Sequence, residues 1–160
     1  MIDDIRFLSA REMRRVKPAN DTLVISILDH SEARVRPRLA GFRSVLCLTC
    51  EDAFESADAA AWPDEPSDAE HAQLAIGRDE RVPALSDAQR IVQFLLPHRH
   101  SGENLHLLVH CFAGLSRSAA VAEWAGSWLW KPILNAHQKP DARPNPRLLK
   151  LLHQASAGTR

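Results

Sequence analysis

The stretch from Leu105 to Ala122 constrains the fold more tightly than any other. It opens on an apolar run (Leu105, Leu107, Leu108, Val109) and breaks at Cys111. A compact loop containing Gly114 follows, and from Ser116 on the chain is rich in good helix formers. That is a strand, a tight loop and a helix in succession. Such a turn directs successive backbone N–H groups into a concavity and adds the positive end of a helix dipole, which together suit a bound phosphate or sulfate. Two side chains turn this anion hole into a reaction site. A thiol at a helix N-terminus is stabilised as its thiolate, which makes Cys111 the attacking group. Five residues separate it from Arg117, whose planar fork can grip two phosphate oxygens where Lys could not. Ser118 adds a hydroxyl able to donate to the sulfur when it leaves.

The string His110-Cys111-x-x-Gly114-x-x-Arg117-Ser118 resembles the signature loop of the cysteine-dependent protein tyrosine phosphatases, specifically the dual-specificity-like branch and its compact bacterial members. A bare Cys-x5-Arg occurs by chance in many chains. Here a His precedes the Cys, a Gly lies in the loop, a Ser follows the Arg, and strand and helix flank the whole. The resemblance implies a phosphomonoester hydrolase, a protein tyrosine or dual-specificity phosphatase, working through a cysteinyl-phosphate on Cys111. Phe112, Ala113, Gly114, Leu115, Ser116 and Arg117 would surround the phosphate, His110 would orient the loop and tune the thiol, and Ser118 would support the sulfur. No metal or cofactor is implied. The partners implied are a phosphorylated protein or small phosphomonoester, with inorganic phosphate, sulfate or vanadate occupying the same loop. Rival readings are a phosphate-binding pseudophosphatase or interaction domain without turnover, and a sulfurtransferase or arsenate reductase with a similar loop.

Length and charge bound these readings. With 160 residues, 45% of them hydrophobic, one phosphatase domain over residues 1–160 is expected. The net charge is zero, so no broad field favours nucleic acid or an anionic membrane. The charges are unevenly placed: ten acidic residues against Arg78 between Glu51 and Glu80, and six basic residues against Asp141 from Lys131 on. No segment approaches the ~18 apolar residues of a membrane span. Met1-Ile2-Asp3-Asp4 lacks the basic start and apolar core of a signal peptide. Three cysteines, one acting as a thiolate, fit a reducing compartment, so a cytoplasmic location is expected.

The remaining chain reads as alternating strands and helices. Ser9-Ala10-Arg11-Glu12 is a capping-box pattern for a short helix over Ser9–Val16. Thr22–Leu28 and Val45–Cys50 are read as buried strands, joined by an arginine-rich connection with Pro37 and Gly41. A short helix is placed around Asp68–Leu74. Ser86-Asp87-Ala88-Gln89 reads as another capping box, opening a helix that Pro97 stops near Leu96. A buried helix is expected over Ser116–Trp130, with Trp124, Trp128 and Trp130 as core or helix contacts. Asn145 and Pro146 read as the cap and first residue of a last helix. The expected fold class is therefore α/β: a mainly parallel central sheet flanked by helices, with the site at the carboxyl end of a strand. The resemblance implies the same fold, of the dual-specificity type. Lys139 to Pro146 also looks like the Arg-Pro-rich link before the last helix of those enzymes.

A phosphatase of this kind needs an acid for the leaving oxygen, which in the family is an aspartate on a neighbouring loop. Three compete. Asp52 directly follows a buried strand, which would deliver it to the sheet's carboxyl edge, and it is the expected acid. Asp79 lies 32 residues before Cys111, near the usual dual-specificity spacing. Asp64 stands in Trp62-Pro63-Asp64, the letters of the acid loop in tyrosine-specific relatives, but alanines rather than a strand precede it. Cys47 and Cys50 read as core residues, either of which could form a protective disulfide with Cys111, as in some phosphatases of this kind. His98, His100 and His106 read as solvated residues around a loop. Phe112, Ala113, Leu115 and Ser116 add no cation, which favours a phosphotyrosine-type monoester over a highly charged inositol headgroup.

Overall fold

Four apolar segments form one all-parallel sheet in the computed structural model, which describes residues 1–75 and 81–159. The strands are β1 (Ile2–Ser9), β2 (Thr22–Leu28), β3 (Ser44–Thr49) and β4 (Leu105–Cys111), in the order β1-β4-β2-β3. The expected α/β class, with a parallel sheet flanked by helices, is observed. β2 spans the residues expected and is buried at every position, paired with β3 on one side and β4 on the other. A nearly continuous apolar run is what a strand covered on both faces requires.

Two strands depart from the sequence reading. β1 was not expected. A register shift between Ile2 and Asp4 breaks its alternation, so Ile2, Ile5 and Phe7 reach the core without a regular period, while Asp4 pairs with His106 at 2.8 Å. β3 runs over Ser44–Thr49 rather than Val45–Cys50, and it is an edge strand rather than a buried one. Leu48 is buried and Leu46 packs against the core, but Cys47 is exposed, which corrects its reading as a core residue.

The two faces of the sheet are unequally covered. Ile5, Phe7, Leu23, Ile25, Ile27, Leu107 and Val109 belong to the main core with α3 (Leu85–Leu95), α4 (Arg117–Leu129) and α5 (Pro146–Ser156). The alternate residues Val24 and Leu108 join Met13 and Phe42 in a smaller core under α1 (Ala10–Met13) and the 29–43 connection. Each fully buried Leu or Ile contributes about 1.5–3 kcal/mol, so the first face dominates the stability.

Helix ends follow local hydrogen bonding. Ser9 and Glu12 form the expected capping box, but α1 ends at Met13, short of Val16. α2 (Asp68–Leu74) covers the residues expected. α3 begins two residues earlier than its box implied, capped at Ala84 rather than Ser86. Asp87 accepts the Ala84 N–H at 3.0 Å, whereas Ser86 is drawn away, donating its N–H and hydroxyl to Glu65. Asn145 caps α5 by accepting the Leu148 N–H at 2.9 Å, with Pro146 next, as expected. Trp124 is buried and stacks on Trp128 at 5.0 Å between ring centroids. Trp130 is the exception to its reading as a contact residue. It ends α4 in a left-handed conformation (φ +56°) and is 88% exposed. Among the described residues no helix is long and apolar enough to cross a membrane.

Candidate active site

The carboxyl ends of the strands meet at the loop between β4 and α4. Gly114 shapes it. The residue has φ +72°, and a Cβ there would lie 2.3 Å from the Ser9 nitrogen and 2.5 Å from the Leu8 carbonyl carbon, so only glycine lets the loop pack against the end of β1. Backbone bonds clamp the loop from both sides. Ala10 N–H donates to Phe112 O at 3.0 Å, Arg143 N–H to Leu115 O at 2.8 Å and Asn145 N–H to Ser116 O at 3.2 Å. The Arg-Pro-rich link before α5 is therefore part of the loop's support.

Inside the loop Cys111 is buried, 2% exposed, and its sulfur receives the Gly114 N–H at 3.2 Å. The Ser118 Oγ stands 3.2 Å from the same sulfur, the contact expected of it. Among the described residues no backbone carbonyl accepts from the amides of Phe112, Ala113, Leu115 or Ser116, so these donors remain open to an anion. His110 is fully buried beneath the loop, its Nδ1 3.4 Å from the Cys111 carbonyl oxygen rather than from the thiol. Burial pushes it down to about 4, so the ring is neutral near pH 7.

Arg117 opens α4 and is 4% exposed. Its Nη2 donates to both carboxylate oxygens of Glu32, at 2.9 and 3.2 Å, and its Nη1 to Cys50 O at 2.8 Å. Burial, the largest single influence, opposes its charge, but the Glu32 carboxylate together with Cys111 and Cys50 more than offsets it, so the guanidinium stays charged. Its Nε is buried with no hydrogen-bond partner among the described residues. An orphaned buried donor costs about 1–3 kcal/mol, and in a native fold it calls for an explanation such as an absent ligand.

Glu32 is the residue that sequence reasoning missed. It lies in the connection after β2, where the pattern Asp29-x-x-Glu32 folds into a reciprocal box: Glu32 N–H donates to Asp29 Oδ1 at 2.7 Å and Asp29 N–H to Glu32 Oε2 at 2.9 Å. An Asp-x-x-Glu pattern directly after a strand end was the available signal.

The three aspartates are distributed differently. Asp52 is at the loop, its Oδ1 accepting from Ser116 Oγ at 2.7 Å and from Asn145 Nδ2 at 2.8 Å. Asn145, read only as a helix cap, thus also anchors Asp52. Asp64 is held away on α5, accepting from Lys150 and Gln154, each at 3.1 Å, while Trp62 lies under the buried Arg147. Asp79 lies outside the described residues. Cys50 is buried next to the site, and burial pushes its thiol well up. His106 is engaged by Asp4 and not simply solvated. The Asp4–His106 pair lines a separate cavity of about 250 Å³ with Arg6, Leu8 and Leu108, in which no thiol takes part.

The sequence matches no known family model, and no curated protein matches it.

Proposed function

We propose that this chain is a phosphomonoester hydrolase of the protein tyrosine phosphatase kind, acting through a cysteinyl-phosphate on Cys111. The observation that carries the reading is the arrangement around the sulfur. A loop amide and the Ser118 hydroxyl address Cys111, and the helix behind it begins with a charged, buried arginine whose Nε is unpaired. The Cys111 thiolate attacks phosphorus, the bond to the ester oxygen breaks, and Asp52 gives its proton to that oxygen. Asp52 then takes a proton from water as the water attacks phosphorus. The S–P bond breaks, and Cys111 leaves as a thiolate with Ser118 donating to it. The open amides and Arg117 hold the equatorial oxygens, where charge is spread in the transition state. General acid help from Asp52 is worth about 10²–10⁴-fold. The substrate class is a phosphotyrosine-type monoester.

Hydrolysis of an aryl phosphate by the wild type and by Cys111→Ser tests the reading. Turnover should be inhibited by vanadate and lost in the variant. Equal turnover in both proteins would remove Cys111 from the mechanism. Activity confined to thiosulfate or arsenate would assign the loop to the sulfurtransferase or arsenate reductase chemistry instead.

A further inference from the structure

We propose that one rim of the loop is a docking surface for an acidic stretch of polypeptide flanking the phosphorylated residue, formed by arginines of α1 and of the 34–38 segment. The proposal rests on the phosphatase reading above. Both elements are tied to the site. Ala10 N–H holds Phe112 O at 3.0 Å, which places Arg11 one residue from a loop contact. Glu32 holds Arg117 at 2.9 Å, which places Arg34 two residues from another. The elements also touch each other, Arg14 Nη2 donating to Val35 O at 2.8 Å, so their charges form one surface.

Among the described residues no carboxylate forms an ion pair with that surface. Arg11, Arg14, Arg34 and Arg38 are exposed, and none pairs with a carboxylate among the described residues. Neighbouring carboxylates are already engaged: Glu12 with Lys139 at 2.8 Å, Glu32 with Arg117, and Asp29 with the Glu32 N–H and the Ser31 hydroxyl. In a chain of zero net charge this is a local excess beside the proposed reaction centre. Asp52, bonded to Ser116 at 2.7 Å, is an acidic group at the loop itself.

The placement of the charges selects the ligand. Apart from Arg117 the loop side chains Phe112, Ala113, Leu115 and Ser116 carry no cation, so the additional anions do not sit on the same compact group as the scissile phosphate. They lie residues away along an extended chain, which advances about 3.3–3.6 Å per residue. Exposed Phe112, whose carbonyl accepts the Ala10 N–H, and exposed Val35, whose carbonyl accepts from Arg14, suit a polypeptide's apolar side chains. A polynucleotide, charged at every unit, would run onto Asp52, whereas a peptide can be acidic on one side only.

The test uses the full chain, an aryl phosphate, and phosphotyrosyl peptides of one sequence whose flanking positions on one side are Glu, Ala or Lys. The readout is the ratio of kcat/KM for the Glu and Ala peptides within each protein. A ratio of about tenfold is expected in wild type, the size that a few exposed ion pairs give together. It should fall towards one in R11E/R34E/R38E, in R11Q/R34Q/R38Q, and in wild type at high salt, which needs no variant to fold. Aryl phosphate turnover with no acidic preference, or with a preference that variants and salt leave unchanged, overturns the docking surface alone. No aryl phosphate turnover by the wild type overturns the phosphatase reading and this proposal with it. Preference for a 5′-phosphorylated oligonucleotide or a polyphosphorylated small headgroup over the acidic peptide also overturns the proposal.

Discussion

Replacing Glu32 by Gln tests the least obvious part of the site. Both carboxylate oxygens accept from Arg117 Nη2 in a pair whose side chains are 4% and 18% exposed. Removing one partner of a fully buried pair costs about 3–5 kcal/mol, because the other charge is left without compensation. Two features reduce the loss here. Gln keeps a carbonyl acceptor for Nη2, and Cys50 O still holds Nη1. A stability loss of about 2 kcal/mol is expected from urea midpoints. The kinetic loss should be larger than the loss of anion binding. An unfixed guanidinium no longer meets the transferring group in its strained geometry, which at about 2.7 kcal/mol for one preorganised donor is about 10²-fold in kcat/KM for an aryl phosphate. Inhibition by inorganic phosphate should change by less than tenfold, since deleting a negative charge beside the anion partly offsets the disorder. Glu32→Asp, with the charge but a shorter reach, should fall between Gln and wild type in both measurements. Wild-type turnover and an unchanged urea midpoint in Glu32→Gln would refute the argument outright. A stability loss with unaltered kcat/KM would reduce Glu32 to a structural partner of Arg117.

Other substitutions separate the remaining roles. Asp52→Asn should lose about 10²–10⁴-fold on a phosphotyrosyl substrate and much less on an activated aryl phosphate, whose leaving group needs no proton, whereas Asp64→Asn should stay within a few-fold on both. A large Asp64 effect would contradict its placement on α5. Gly114→Ala puts a methyl against the Ser9 and Leu8 backbone at positive φ, so a loss of about 3 kcal/mol in urea unfolding and collapse of aryl phosphate turnover are expected. His110 supplies a pH dependence: burial holds it at about 4, against 6.5 when unfolded. Between these values the unfolded chain binds a proton that the folded chain does not, so stability falls as pH drops from 6.5 towards 4, by about 3 kcal/mol in all. That slope should vanish in His110→Asn.

Where local chemistry alone decided the outcome, the sequence was informative. β2, α2 and the Asn145–Pro146 start of α5 lie where they were read, because an apolar β-branched run, a capping box and an N1 proline each act within a few residues. The loop was legible for the same reason: strand, glycine and helix start are consecutive. What was not legible depended on distant partners. β1 exists because β4 gives it a ladder from Ile2↔Leu105 to Ser9↔Cys111, and its own pattern is broken by the shift at Asp4. Cys47 looked like a core residue because β3 is apolar, but the sheet order leaves β3 at an edge. Ser86 had the pattern of a cap, yet Glu65, 21 residues earlier, takes it. Trp130 is apolar and near helical spacing to Trp124, but α4 stops at Leu129.

Asp52 lies beside the Cys111 loop for a different reason from the one its sequence suggested. The sequence argument relied on the strand before it to fix its position. In the structure β3 ends at Thr49, and Cys50 N–H still holds on to Leu28 O at 3.2 Å. What fixes the carboxylate is α5's first turn and the loop itself, through Asn145 and Ser116. Both donors address the same oxygen, Oδ1. The carboxylate is thereby held by two neutral donors, whereas Asp64 accepts from Lys150. The Trp62-Pro63-Asp64 letters spell an acid loop around a carboxylate that is bonded to α5. Asp52, with no such letters around it, is the one of the two that is bonded to the Cys111 loop, through Ser116.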